Sequence, residues 1–162
     1  LGRICHDGAR VSRLSAVDYQ LVREAMERCL CWELRDRDIA TLSGGERQLV
    51  ALARALAQGA KTLFLDEALS RMDLHHQARI GAMLRDLVTK QGYAIMLVSH
   101  DVNLAAEWAS TALLLKGGRK VAAGPLNEVL TETRLSELYP DSAIGVGRNP
   151  FTGSLMVHFR GA

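Results

Sequence analysis

The pattern of hydrophobic and polar positions divides the chain into a first region with helical spacing and a second region that mixes strands and helices. In the first region, apolar residues recur three and four positions apart, which predicts amphipathic helices over about 16–31 and 45–58. Ser15 and Asp18 predict a capping box for the first helix, and Gly59 predicts the end of the second. The charged segment between them is expected to be a connector.

Two continuous apolar runs of strand length open the second region. They are TLFLD (Thr62–Asp66) and AIMLVSH (94–100), and they flank a predicted helix over about 74–90. This order is typical of a βαβ unit with parallel strands, and uninterrupted apolar runs predict strands covered on both faces. The remaining chain predicts a short helix (about 101–109), a hairpin turning at Gly117 and Gly118, two short helices (about 126–130 and 132–138) and a final hairpin.

Composition and charge narrow the class of protein. Hydrophobic residues make up 48% of the 162 positions and charged residues 23%, which is ordinary for a globular domain. A net charge of +2 does not by itself indicate a nucleic-acid or membrane-surface binder. The cysteines at positions 5, 29 and 31 are odd in number and lack zinc spacing. Cys29 falls on an apolar helix face, so we expect a buried free thiol, as in a reducing compartment.

Acidic and imidazole side chains follow the two apolar strands. Asp66 and Glu67 end the first strand, and His100 ends the second. Ligands of open parallel sheets bind beyond the carboxyl ends of the strands, and adjacent strand residues point in opposite directions. One carboxylate can then hold a magnesium ion through water while the other faces an attacking water. A solvated acidic strand end and an ordinary polar histidine are the alternatives. Asp73 is either part of this site or simply the cap of the next helix.

The segment TLSGGERQ places Ser43, Gly44 and Gly45 directly before a helix. The helix N-terminus carries about half a positive charge, and its N–H groups and the serine hydroxyl can aim at one phosphate. A plain serine-capped helix after a Gly-Gly turn explains the same residues. The sequence therefore leaves a phosphate site and a simple cap open at this position.

Four motifs in this order and spacing match a known family: LSGGERQ (42–48), LFLDE (63–67), SRMD (70–73) and LVSH (97–100). Over about residues 1–125 the chain strongly resembles the nucleotide-binding subunit of ABC transporters. The tail (DLHHQ, AAGPLNEVLT and LSELYP) resembles subunits that power import of iron-siderophores, haem or cobalamin. The resemblance implies an α/β fold: the P-loop NTPase core of an ABC ATPase, with a parallel sheet flanked by helices and a helical subdomain.

The resemblance also implies a role for each motif residue. Ser43, Gly44, Gly45 and Glu46 correspond to the signature motif. Asp66 corresponds to the magnesium aspartate, Glu67 to the general base, Asp73 to the D-loop aspartate and His100 to the residue that senses the γ-phosphate. Members of the family act as head-to-tail dimers, in which the signature motif of one subunit contacts ATP held by the other. ATP and Mg²⁺ are the implied ligands.

Two departures from the family pattern stand out. Ala68 replaces the usual proline after the base, and Leu69 with Ser70 replaces Thr-Ser. In addition, a phosphate loop needs G-x-x-x-x-G-K-[ST], and this chain contains no Gly-Lys pair. We therefore expect the N-terminal phosphate-loop half to be absent, with residues 1–58 forming the helical signature subdomain and residues 59–162 the second half of the α/β core. This chain alone is expected to be inactive.

The function implied for the parent protein is ATP hydrolysis that drives import of a metal chelate through a membrane permease. The implied partners are a second ATP-binding subunit, the permease and, indirectly, a solute-binding protein, with no nucleic acid. The implied location is peripheral, on the cytoplasmic face of the cell membrane. Two alternatives stay open: a soluble ABC-family ATPase of DNA repair or translation, and a non-catalytic remnant that serves as an interaction module.

Overall fold

The structure is a computed structural model that describes residues 15–140 and 142–160. It forms two compact units that divide between Val98 and Ser99. The boundary predicted from the motifs lies after residue 58 and separates the helical signature subdomain from the second half of the α/β core. The two units are instead defined by the contacts within each, so the predicted boundary stays a prediction. Each unit is described separately below.

Three helices make up most of the first unit: α1 (Ala16–Arg28), α2 (Gly44–Ala57) and α3 (Leu74–Gln91). The capping box predicted for α1 is confirmed. This helix is shorter than predicted because the chain leaves helical geometry at Leu30, whose φ is +56°. The connector is also more ordered than expected, with 3₁₀ turns at Trp32–Leu34 and Ile39–Thr41. Helix α1 packs against α2, and Arg37 of the connector reaches Glu46 at the start of α2.

Cys29 and Cys31 lie in the core of the first unit. Both are free thiols with no exposed surface, which confirms the prediction for Cys29. Burial raises the pKa of both thiols, that of Cys31 to about 12, so both are protonated and unreactive at neutral pH. Cys5 lies outside the described residues.

Strands β1 (Thr62–Asp66) and β2 (Ala94–Val98) pair in parallel, with Asp66 opposite Val98, as the βαβ pattern predicts. The prediction that both faces are covered is wrong for this chain. Leu63 and Leu65 are buried, but Phe64 on the opposite face is 74% exposed. The apolar run indicates that the strand can be buried on two faces. It does not indicate which covering elements are present.

The second unit consists of short elements after Ser99. Helix α4 (Val102–Trp108) precedes the antiparallel hairpin β3 (Thr111–Lys116) and β4 (Arg119–Pro125). Helices α5 (Leu126–Val129) and α6 (Glu132–Leu138) lead to a second antiparallel hairpin, β5 (Ile144–Arg148) and β6 (Leu155–Phe159). Both predicted hairpins are thus confirmed. The core of this unit is formed by Ala106, Leu130, Leu135 and Ile144.

Candidate functional site

The N-terminus of α2 is built by a capping box. The Ser43 hydroxyl oxygen accepts a hydrogen bond from the Glu46 amide at 3.2 Å, and Glu46 Oε2 accepts one from the Ser43 amide at 2.7 Å. Arg37 donates to Glu46 Oε1 at 2.8 Å. The hydrogen bonds from Ser43, followed by Arg37, hold the pKa of Glu46 below its usual range. The Ser43 side chain is thus bound to both the amide and the carboxylate of Glu46 within the capping box.

Gly44 and Gly45 let the loop after β1 cross the start of α2. A Cβ atom at Gly45 would lie 2.9 Å from the carbonyl oxygen of Arg71, and a Cβ at Gly44 would lie 3.3 Å from Arg71 Cδ. The contact at Gly45 is with backbone, which cannot move as cheaply as a side-chain tip. Gly45 therefore has a packing role in this chain in addition to any role at a phosphate, whereas Gly44 faces only a side chain that can rotate away.

A cavity of about 580 Å³ opens at this crossing. Signature residues 43–46 line it together with Arg71, Asp73 and His76. The structure thus brings the signature motif and Asp73 to one cavity within the first unit. Arg71 contributes a positive charge to the same wall, which sequence reasoning had not singled out.

Asp73 is the N-cap of α3. Its carboxylate accepts a hydrogen bond from the His76 amide at 2.9 Å and lies 3.0 Å from His76 Nδ1. These bonds, the amide first, lower the pKa of Asp73. The capping alternative therefore describes its present contacts, and the D-loop role stays a prediction.

Asp66 and Glu67 diverge at the end of β1. Asp66 is exposed, whereas Glu67 is half-buried and its Oε2 atom is withdrawn from solvent. The backbone of Glu67 is left-handed, with φ +49°, and its amide donates to Val98 O at 3.0 Å. Such a conformation is uncommon for a residue with a side chain and persists only where surrounding contacts hold it.

Side chains from two helices hold the loop that carries Glu67. The Gln48 amide group of α2 donates to Glu67 O at 2.9 Å and accepts from the Arg71 amide at 3.2 Å. Gln77 of α3 donates to Leu69 O at 3.1 Å. Sequence reasoning missed both glutamines. A signal existed for Gln48, a polar residue at helical spacing from Leu52 on the buried stripe of α2, since buried polar groups in proteins have partners.

His100 lies two positions after Val98 and belongs to the second unit. It stands beside Asp101, whose carboxylate accepts from the Leu104 amide at 3.0 Å and caps α4. The side chain of His100 is exposed. Its proposed contact with a phosphate stays a prediction.

The acidic residues fit a magnesium ion that is bound together with a nucleotide. Asp66 offers one exposed carboxylate, and the part of the chain that the structure describes contains no cluster of three or more metal-ligating side chains. Mg²⁺ is commonly held by one or two carboxylates, with water and substrate phosphates as the other ligands. A single aspartate at a strand end suits that arrangement better than a metal cage made of protein alone.

Comparison with known proteins identifies relatives among import ATPases. A family model described as ABC transporter matches residues 7–70. The hemin import ATP-binding protein HmuV of Streptomyces coelicolor is 43% identical over 140 residues, 86% of this chain and 49% of that protein. The cobalamin import ATP-binding protein BtuD of Halobacterium salinarum is 39% identical over 86% of this chain and 35% of that protein. The chain spans half or less of the length of these relatives.

Solved structures share the fold. A metal-chelate type ABC transporter in an inward-facing conformation aligns over 98% of this chain and 63% of its own, with a TM-score of 0.83 and 29% identity. A dimeric bacterial ABC transporter cassette aligns over 72% of this chain and 51% of its own, with a TM-score of 0.62 and 26% identity. Among the described residues, no helix is long and apolar enough to cross a membrane. By its motifs, its relatives and its fold, the chain is similar to the ATP-binding subunits of ABC transporters.

Proposed function

We propose that the full-length protein is the ATP-hydrolysing subunit of an ABC importer. The proposal depends on one observation in the first unit. The loop that contains Glu67 crosses the start of α2, the helix that begins with the signature residues. Similarity to hemin and cobalamin import ATPases supports the importer assignment. Haem, cobalamin or an iron-siderophore is therefore the proposed class of cargo, carried through a membrane permease.

In the proposed reaction, Glu67 removes a proton from water as the water oxygen attacks the γ-phosphorus and the bond to the β–γ bridging oxygen breaks. ADP and phosphate are the products. Ser43 and the amides of the first turn of α2 donate to the γ-phosphate of ATP held by a partner subunit, where negative charge is spread over the transferring group. His100 contacts the transferring phosphate of ATP bound to its own subunit. Asp66 would hold Mg²⁺, which neutralises phosphate charge when bound.

The proposed assembly is a head-to-tail dimer on the cytoplasmic face of the cell membrane, bound to permease subunits and coupled through them to a solute-binding protein. A dimeric cassette among the structural relatives supports the first contact. The 162 residues contain no Gly-Lys-[Ser/Thr] loop, so we propose that they bind the signature side of a nucleotide and do not hydrolyse ATP alone.

The test is Glu67→Gln in the full-length protein. The substitution removes the base but keeps the size of the side chain, so kcat should fall by about 10²- to 10⁴-fold while ATP still binds. Glu24→Gln, an exposed carboxylate on α1, is the matched control and should leave turnover unchanged. Near-normal phosphate release from the Glu67 variant would reject Glu67 as the base.

The cargo is tested by growth of a deletion strain that receives haem or a ferric siderophore as its sole source of iron, or external cobalamin as its sole source of that cofactor. Loss of growth on one of them, restored by the wild-type gene and not by the Glu67→Gln gene, supports import driven by this ATPase. Unchanged uptake of all three compounds by the deletion strain would reject the proposed class of cargo. The ATPase role would then be judged by the turnover assay alone.

A further inference from the structure

The side chain of Gln48 joins two backbone groups of the loop after β1. Its Nε2 atom donates to Glu67 O at 2.9 Å, and its Oε1 atom accepts from the Arg71 amide at 3.2 Å. A carbonyl accepts and an amide donates, so this pair of partners fixes which end of the Gln48 amide faces which group. The side chain is partly buried and both ends are used, which makes it a clamp with one orientation.

The clamp acts where the backbone most needs support. Glu67 has φ +49°, a left-handed conformation that is uncommon and unfavourable for a residue with a Cβ atom. The Glu67 amide donates to Val98 O of the neighbouring strand β2, and the Ser70 amide and hydroxyl donate to Glu67 O within its own turn. Gln48 instead comes from α2, two positions after the signature residue Glu46. It therefore ties the direction of Glu67 to the helix that carries the signature motif.

We propose that Gln48 is a positioning residue for the general base, an inference that rests on the proposed role of Glu67. By holding Glu67 O and the Arg71 amide, Gln48 fixes the backbone from which the Glu67 carboxylate extends toward the attacking water. A base displaced by about 1 Å can lose up to 100-fold in rate, although its chemistry is intact. In this role Gln48 acts through the backbone of the loop and not directly on nucleotide or water.

The first experiment compares two glutamine substitutions in the full-length protein. Gln48→Met keeps the chain length but removes both hydrogen bonds, and it should lower kcat by about 10-fold or more with little change in KM for ATP. Gln77→Met is the matched control, because it removes a tether from α3 to Leu69 O of the same loop and leaves both Gln48 bonds in place. An equal loss of kcat in the two variants would overturn the proposal in favour of general loop loosening.

The second experiment is a double-mutant cycle with Glu67→Gln. If Gln48 acts through the base, Gln48→Met should not reduce the residual rate of the Glu67→Gln protein further. A reduction by the same factor in both backgrounds would overturn the proposal. If Gln48→Met does not fold, Gln48→Glu serves in its place, since it keeps an acceptor for the Arg71 amide and loses the donor to Glu67 O.

The two levels of inference fail differently in these assays. A slow Glu67→Gln protein beside a Gln48→Met protein with wild-type kcat overturns the positioning role alone. A Glu67→Gln protein with wild-type turnover overturns the proposed function and the positioning role together.

Discussion

At the scale of single residues, Gly45 marks the tightest approach in the candidate site. A Cβ atom there would meet the Arg71 carbonyl oxygen at 2.9 Å, whereas one at Gly44 would meet the flexible Arg71 side chain at 3.3 Å. The two neighbouring glycines therefore differ in what they tolerate, although a motif treats them alike.

We predict that Gly45→Ala lowers the free energy of unfolding by about 1–3 kcal/mol, because the loop backbone must move to admit the methyl group. Gly44→Ala should be close to neutral, since Arg71 can rotate away and alanine favours the helix. Urea unfolding of the two variants followed by circular dichroism measures the difference. Equal stability of the two would contradict the packing role assigned to Gly45.

Residue roles were predictable to different degrees. Asp66, Glu67 and Ser43 belong to short contiguous motifs, so the printed order of residues is enough to single them out. Gln48 reaches a carbonyl 19 positions away, and only the crossing of α2 with the loop brings that pair together. The left-handed backbone at Glu67 was equally hidden, because no glycine marks it.

At the scale of elements, the predictions that depend on near neighbours are confirmed. Ser15 with Asp18 caps α1 over three positions, and Gly59 follows the C-cap of α2 with φ +76°. The 3₁₀ turns of the connector were missed because three residues are too few to show a period. Coverage of β1 was mispredicted because it depends on other elements, and no local pattern reports whether these are present.

A substitution at the start of α2, Gly44→Asp, should impair function without impairing folding. A carboxylate in the first turn is favoured by the helix dipole and would lie near Arg71 Nη1, so the variant should fold normally. The same charge faces the cavity and should repel a phosphate. We predict that ATP-driven dimerisation of the full-length protein is lost while ATP still binds the monomer.

Analytical ultracentrifugation with and without ATP measures the dimer, and titration calorimetry measures binding to the monomer. Gly44→Asn, which has nearly the same size without the charge, is the control and should retain more of the dimer. If monomer binding fell as far as dimerisation in the Asp variant, the signature motif would act on nucleotide bound to its own subunit.

At the scale of the whole molecule, the sheet of the first unit has one covered face. Leu63 and Leu65 are buried on that face, while Phe64, Met96 and Val98 are exposed on the other. Parallel sheets in α/β proteins normally have both faces covered. The 162-residue chain, which spans half or less of its curated relatives, thus presents an apolar surface at the strands that carry its acidic residues.

We predict that this chain alone binds hydrophobic dyes and neither binds ATP tightly nor hydrolyses it. In P-loop proteins, loop amides and a lysine bind the phosphates. Without these groups, the γ-phosphate is not aligned with the water that the base Glu67 would activate. Phe64→Thr should reduce dye fluorescence and aggregation with little loss of structure, because this side chain is already 74% exposed. Leu65→Thr, one position along and 6% exposed, is the control and should unfold the unit.

Calorimetric ATP titration and phosphate release, run on this chain and on the full-length protein, test the prediction about ATP. Equal turnover by both would show that these 162 residues already contain the groups that bind the phosphates.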